Sequence, residues 1–575
     1  MRRTKRKALA FRGPFLHIAY RSLNNQLYFY TMETNKYDEF YKKYGANVHD
    51  DPVRFAKIAA LCKGSVLDIA CGTGTLADFY AGKYEGTDVS KEAIRMAKEI
   101  RRKNAVFLEE NILTQEAYWA RKYDTIVIAE FLEHIEDDKL FLQKIMDGLE
   151  KDGRLIISVP NGDRVPDEDH KRTFTIPELR KKFEGYGKIT FNNWPGAAQR
   201  IIMTIDKGQK NTYNLSLVMP VKNEEKGLEN AILSALEFCD DIVIAVDKAS
   251  TDKTLEIAKM YGDTVIEHEW HNSFAEMRNF AQQFAKGQYI LALDGHEYIK
   301  GVGNLEAGLK SDREGLLVRV QMENGFNFWF PRIVKKSVRW VNEVHNNPEP
   351  KTTVRLTGFT IVHDRKSRQD KKAVEERSEQ REKMIMGVLK NNLKKNKKDT
   401  RALFYIALQH LSRERYRQAI KYYKKNLRYS KNVQERWLVC HDIGMCYVYL
   451  GKLFRASWWL FKAEDEIPNR WETYKTLGAI YAQANKPLTA VEWFTKSFVE
   501  NKEAYVYNPE IRDVAQVWSF IGMCYNAMNK PLEAIISWKR AIKLEKRKEE
   551  GEQNVERLKV LEEMVKNYSE LLQKK

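Results

Sequence analysis

The chain has 575 residues, of which 43% are hydrophobic and 31% charged, and a formal net charge of +18. That length is too great for a single core and implies three or four domains at roughly 100–200 residues each. The composition is that of a folded globular protein, and no run approaches the roughly 18 continuous apolar residues of a membrane span. Six cysteines are scattered singly with no Cys-x-x-Cys pair, which indicates neither a disulfide framework nor a zinc knuckle and fits a cytoplasmic location. The positive charge suits polyanions such as nucleotide-activated substrates, nucleic acid or an anionic membrane face. A lysine-rich background accounts for it equally well, and no nucleic-acid module signature accompanies it.

In chain order, the opening residues 1–36 are a basic arm in which Arg12, Gly13 and Pro14 break the apolar part, unlike the core of a signal peptide. Residues 37–208 alternate short apolar runs ("SVLDIA", "YDTIVIAE", "GRLIISVP") with amphipathic stretches, the pattern of a parallel sheet with crossover helices. A polar linker, "DKGQKNTYN", precedes a second α/β series over 213–366, with strands at "LSLVMPV", "DIVIAVD", "DTVIEHEW" and "YILALDG". Residues 367–398 form a charged helical connector. Beyond it, over 399–547, small residues recur at Ala407, Gly444, Gly478 and Gly522, each followed twelve residues later by Ala419, Ala456, Ala490 and Ala534. Only small side chains fit where two helix backbones cross, so this spacing implies tetratricopeptide repeats, with 548–575 as a capping helix.

In the first series, Asp68 ends a strand, Gly72 and Gly74 let backbone approach a ligand, and Asp88 ends the next strand, where a carboxylate can hold ribose hydroxyls. The run Asp68–Gly74, then Asp88, "FLEENIL" and "AEFLEHIED", resembles class I S-adenosylmethionine-dependent methyltransferases. The resemblance implies that Asp68, Gly72 and Gly74 face the methionine part of the cofactor and Asp88 its ribose. Asn111 then lies near the adenine, and Glu130 ends the fourth strand. Ala70 and Asn111 depart from the usual glycine and acid. His134, within "LEH", is a candidate general base, although packing against the strand end is the plainer reading, and His170 is a second candidate near the acceptor.

The second series resembles family 2 glycosyltransferases of the GT-A fold through "PVKNEE", "VDKASTDKT", the pair Arg278-Asn279 and the strand end Asp294-Gly295-His296-Glu297. The resemblance implies a nucleotide-sugar donor bound by Pro220, Glu224, Asp247, Arg278 and Asp294. Lys248 replaces a second acid, which leaves the base preference open. It also implies a divalent cation on Asp294 and His296, with His345 of "VNEVHNN" as third ligand and His363 as a further candidate. Imidazole favours Mn²⁺ over Mg²⁺. Glu297 and Glu343 are the candidate bases for an inverting transfer. The expected architecture is therefore multidomain: a Rossmann-like methyltransferase, a GT-A glycosyltransferase and a C-terminal α-solenoid. The repeats would bind a glycan or peptide acceptor, a protein partner or a second copy. A repeat scaffold with one active catalytic domain and a nucleic-acid-modifying enzyme are the alternatives.

Overall fold

The computed structural model describes residues 36–573 apart from 48–50, 102–104, 113–120, 137, 213, 324–326, 365–370, 499–512 and 548–553. The basic arm up to residue 35, and most of the insertion that lengthens the last repeat spacing, lie outside the described residues. The chain forms two compact units. One comprises residues up to Glu267 together with Phe284–Gly295; the other comprises His268–Gln283 together with His296 onward.

The first unit opens with helix α1 (36–44) and α2 (Pro52–Leu61), whose start is fixed by Pro52 in the first turn and by Asp51 accepting from the Arg54 amide at 3.1 Å. There follow β1 (Ser65–Ile69), α3 (Leu76–Phe79), β2 (Lys83–Asp88), α4 (Lys91–Ile100), β3 (Val106–Glu109) and β4 (Tyr123–Ala129). The series closes with α5 (Lys139–Gly148), β5 (Leu149–Pro160), α6 (Ile176–Lys182), β6 (Lys188–Asn192) and β7 (Arg200–Asp206). The seven strands make one sheet in the order β3-β2-β1-β4-β5-β7-β6, parallel from β3 to β5 and antiparallel at β7 and β6. The order reverses between β1 and β4. In such sheets the crevice outside the carboxyl ends of the two strands at the reversal is where ligands bind.

The same unit continues with β8 (Leu215–Val221), α7 (Leu228–Ala235), β9 (Asp241–Asp247), α8 (Thr254–Tyr261), β10 (Thr264–His268) and, after α9 (Phe274–Gln282) of the other unit, β11 (Tyr289–Ala292). The order is β10-β9-β8-β11, with β8 parallel to both β9 and β11, so a second reversal falls between β8 and β11. Every residue of β9 is buried, as a run of Ile, Val and Ala in a parallel sheet requires. The two α/β series of this unit are fastened to each other by polar contacts. Arg180 and Asp263 pair at 2.7 Å, both largely buried. The buried Asn161 amide donates to the Tyr261 hydroxyl at 2.8 Å, and that hydroxyl donates to Glu229 at 2.7 Å.

In the second unit, β12 (Glu297–Val302), α10 (Leu305–Lys310), β13 (Gly315–Gln321), β14 (Asn327–Lys335), the short β15 (Trp340–Val341) and β16 (Asn347–Pro348), and β17 (Thr353–His363) precede the helices. Strands run in the order β14-β13-β17-β12, with β12 antiparallel to β17. Helix α11 (Lys371–Lys395) leads into four helix pairs. These are α12 (Thr400–Ser412) with α13 (Tyr416–Tyr429), α14 (Val433–Tyr449) with α15 (Leu453–Glu466), α16 (Trp471–Gln483) with α17 (Pro487–Lys496), and α18 (Val514–Ala527) with α19 (Pro531–Glu545); α20 (Val555–Gln573) follows. The four alanines of the second helices are fully buried, and the pairs stack as tetratricopeptide-type repeats.

Gly478 shows why small residues recur there. A Cβ built on it would stand 2.6 Å from Cδ1 of Phe494, itself buried in the next helix. A better helix former at this position would gain about 1 kcal/mol of propensity, less than the overpacking costs. Gly478→Val is therefore expected to destabilise the repeats by about 1–3 kcal/mol, read as a lower thermal midpoint.

Candidate active sites

At the β1–β4 reversal, Asp68 is buried beneath the turn and its carboxylate accepts from the Tyr84 hydroxyl at 2.5 Å; burial pushes its pKa up to about 7. The chain then passes through Ala70 at φ 55°, a left-handed conformation that costs a side chain about 1 kcal/mol, and through Gly72 at φ 54°. The Gly72 amide donates to one oxygen of Asp88 at 2.8 Å, and the Ser90 amide to the other, also at 2.8 Å. These bonds orient the Asp88 carboxylate at the end of β2. A Cβ on Gly72 would meet the Tyr41 hydroxyl at 2.6 Å, so α1 closes over this turn. Asp38 of the same helix accepts from the Ser90 hydroxyl at 2.6 Å.

Across the reversal, Glu130 at the end of β4 pairs with Arg200 at 2.9 Å and Arg54 at 3.2 Å. Three residues on, the short turn Leu132–His134 buries Glu133 almost completely, and both of its carboxylate oxygens lack a hydrogen-bond partner. Burial, reinforced by Glu130, raises its pKa to about 8. His134 takes up a contact from its Nδ1 to the Asp169 carbonyl at 3.2 Å, and burial lowers its pKa. Its ring meets that of His170 edge-on at 5.1 Å, and ligand atoms of Glu133, His134 and His170 all lie within 4.8 Å of one another.

At the β8–β11 reversal, Pro220 lies near the end of β8, and Asp247, at the end of β9, is buried and paired with Lys222 at 2.7 Å. The Glu224 amide donates to Thr254 at 2.8 Å and the Thr251 amide to Asn223 at 2.8 Å, which ties the loop after β8 to the loop after β9. A Cβ on Gly295 would stand 2.7 Å from Glu224, so Asp294 and Gly295 follow β11 directly against that loop. In the second unit, Glu297 is fully buried. It accepts from Arg332 at 2.6 Å, and Nε2 of His363 stands 2.6 Å from the same oxygen. His296 and His363 rings are 5.3 Å apart, and His296, Glu297 and His363 form a second group of ligand atoms within 4.8 Å. Arg278 lies over the ring of Trp340 at 4.7 Å, and Asn279 is held by both backbone groups of that tryptophan.

Residues 63–216 match the family model of a methyltransferase domain, and residues 216–352 that of glycosyl transferase family 2. The chain carries both transferase domains. An uncharacterized glycosyltransferase of Rickettsia bellii is 34% identical over 86 residues, 15% of this chain and 29% of that protein. The ubiquinone biosynthesis O-methyltransferase of Actinobacillus pleuropneumoniae is 29% identical over 125 residues, 19% of this chain and 53% of that enzyme. A TPR repeat-containing protein of Synechococcus elongatus is 32% identical over 83 residues, 14% of this chain and 20% of the relative. The chain thus spans from about a fifth to about half of the length of the curated relatives it matches.

Within the glycosyl transferase domain, the histidines separate. His345 adopts φ 50° and stacks on Tyr405 at 4.0 Å, while Arg401 donates to its carbonyl; burial, followed by the charge of Arg401, lowers its pKa to about 4. The structure groups His363 rather than His345 with His296. Glu343 is half-buried, with a carboxylate oxygen 3.3 Å from the Asn392 amide. Within the methyltransferase domain, Asn111 follows β3, beside Glu110, whose amide donates to the Asp88 carbonyl at 2.9 Å. Sequence reasoning missed Tyr41 and Asp38, because α1 precedes the first motif and its aromatic run reads as ordinary amphipathic helix. It also did not group Glu133 with His134 and His170, although "LEH" places it beside His134 in the chain. No helix among the described residues is long and apolar enough to cross a membrane.

Proposed function

We propose that the chain is a bifunctional enzyme of glycan or glycoconjugate synthesis. It would transfer a sugar from a nucleotide donor with inversion, and a methyl group from S-adenosylmethionine to a hydroxyl. One observation carries the pairing: the methyltransferase domain and the nucleotide-facing half of the glycosyl transferase domain share one compact unit, fastened by Arg180–Asp263 and Tyr261. Two catalysts packed in this way suit successive modification of one acceptor, in a cytoplasmic setting.

For methyl transfer, Asp88 would bind the ribose, the Gly72–Gly74 turn the methionine portion, and Asp68 its ammonium. With a pKa near 7, Asp68 carries its charge fully only above that pH. Cofactor affinity is therefore expected to rise between pH 5 and 7 and to level off above. Glu133, His134 and His170 suit a divalent cation in donor type and in spacing, and the partnerless oxygens of Glu133 are what such a site would leave without its ion. When bound, such a cation lowers the pKa of a coordinated hydroxyl. Where no cation is held, His134, its pKa lowered by burial, would instead take the proton itself, and in either case proximity to the sulfonium supplies much of the rate.

For sugar transfer, Asp247 and Glu224 would face the nucleotide and Arg278 the diphosphate. The Asp294-x-His296 motif, with His363 oriented by Glu297, suits Mn²⁺, whose charge neutralises the leaving diphosphate. Because Arg332 and His363 both engage Glu297, the half-buried Glu343 is the better base for the acceptor hydroxyl. Calorimetry tests both halves. Wild type should bind S-adenosylmethionine and, with Mn²⁺, a sugar nucleotide, and Asp88→Ala should lose only the former. Failure of both ligands to bind would refute the dual reading.

A further inference from the structure

The second helices of the four repeats carry a patterned exposed face. Taking the buried alanines as reference, the residue two positions earlier is Arg417, Phe454, Leu488 or Leu532. Phe454 is 85% exposed and each leucine 62%. Two positions after the alanine, Trp458 and Ile536 are half-exposed, alongside Lys421 and Glu492. Six positions after it, every repeat has an exposed cation: Lys425, Lys462, Lys496 and Arg540. With Lys424, Phe461, Thr495 and Lys539 at the remaining equivalent places, Glu492 is the single acid on the face. Asp465 and Glu533 stand beside these rows.

The core side of each helix points the other way. In α15, Ala456, Trp459, Leu460 and Ala463 are buried, while Phe454, Trp458 and Phe461 recur at i, i+4 and i+7 on the opposite side. Stacking of repeats sets equivalent positions side by side. The result is an apolar and aromatic row next to a continuous basic row. Lys462 lies over the Trp458 ring at 4.4 Å, joining the two rows.

We propose that this face docks on an anionic membrane surface. Tryptophan and phenylalanine enter the interfacial layer, and leucine tips reach the acyl boundary. Lysine and arginine stems lie along apolar surface with their charges at the lipid phosphates. Each basic residue at such a surface strengthens partitioning about fivefold. Aliphatic tips at Leu488, Leu532 and Ile536 disfavour a nucleic acid, which stacks on aromatic rings and meets phosphates with cations but has no use for an aliphatic row. A second copy would set two basic rows against each other. The face does not depend on which reactions the transferase domains catalyse.

The test floats the full-length protein with phosphatidylcholine vesicles and with vesicles containing 30% phosphatidylglycerol, at low and at high salt. Binding is expected to the anionic vesicles only, falling at least tenfold at high salt. Phe454→Ser with Trp458→Ser, and separately Lys421→Glu with Lys424→Glu and Lys425→Glu, should each weaken it tenfold or more. All five side chains are exposed, and an unchanged thermal midpoint establishes that the variants fold. Absence of wild-type flotation overturns the proposal, as does full binding by folded variants. A dimer lost in Phe454→Ser, or tight binding of single-stranded RNA, in place of vesicle binding would assign the face to that partner instead.

Discussion

Asp294→Ala is expected to reduce metal-dependent turnover of a sugar nucleotide by about 10²–10³, because it removes a ligand of the cation that would neutralise charge developing on the leaving diphosphate. The affinity for S-adenosylmethionine should stay at the wild-type value, because Asp88 is oriented by its own turn through Gly72 and Ser90. A separate expectation concerns the second unit. His363 is aimed by Glu297, and Glu297 in turn by Arg332, in a chain of two 2.6 Å contacts with no exposure at the carboxylate. Arg332→Ala strands that buried charge, and the concentration of Mn²⁺ for half-maximal turnover should rise about 10–100-fold, as for other groups that orient a metal ligand. Titration of turnover against Mn²⁺ separates the two variants: Asp294→Ala loses metal affinity and stays slow at saturating Mn²⁺, whereas Arg332→Ala recovers turnover as Mn²⁺ is raised. Equal loss of cofactor binding in Asp294→Ala would contradict independent sites.

The sequence was most legible where chemistry is local. Strands ending on Asp88 and Asp247, and one residue past Asp68, follow from apolar runs that stop at an acid, and the glycine turn follows the first strand directly. The repeats were legible because a crossing of helices allows only small residues, and Gly478 against Phe494 is a direct instance. Contacts set by register between distant strands were not legible. His363 faces Glu297 because β12 and β17 are antiparallel with those two residues paired across the ladder, 66 positions apart in the chain. His345, by contrast, lies in a segment that resembles the family motif, yet a left-handed backbone and the ring of Tyr405 give it a different neighbourhood. The fastening of the two α/β series through Arg180 and Asp263 had no local signal either. Each is an ordinary charged residue on an amphipathic helix or at a strand start, and only the packing makes them a pair.

Glu133→Gln is expected to lower methyl transfer by about 10² while leaving the Kd for S-adenosylmethionine unchanged. The substitution keeps shape and removes the carboxyl that would have to ionise to hold a cation. A carboxyl group that is 1% exposed, with neither oxygen hydrogen-bonded and its pKa raised to about 8 by burial, is held at a cost that folding alone does not repay. Glutamine at this place should therefore leave the thermal midpoint of the metal-free protein equal to or above that of wild type. A purely structural role for Glu133 predicts the reverse, a loss of stability with activity following it down. Chelation provides the second readout: a chelator should reduce wild-type methyl transfer toward the level of Glu133→Gln and have little further effect on the variant. His134→Ala and His170→Ala should each show the same chelator insensitivity, since all three groups present ligand atoms within 4.8 Å of one another. Methyl transfer by wild type that resists chelation would remove the cation from the reading and leave His134 to act as base unaided. A midpoint raised in Glu133→Gln together with lost, chelator-insensitive turnover is the combination that only a ligand role produces.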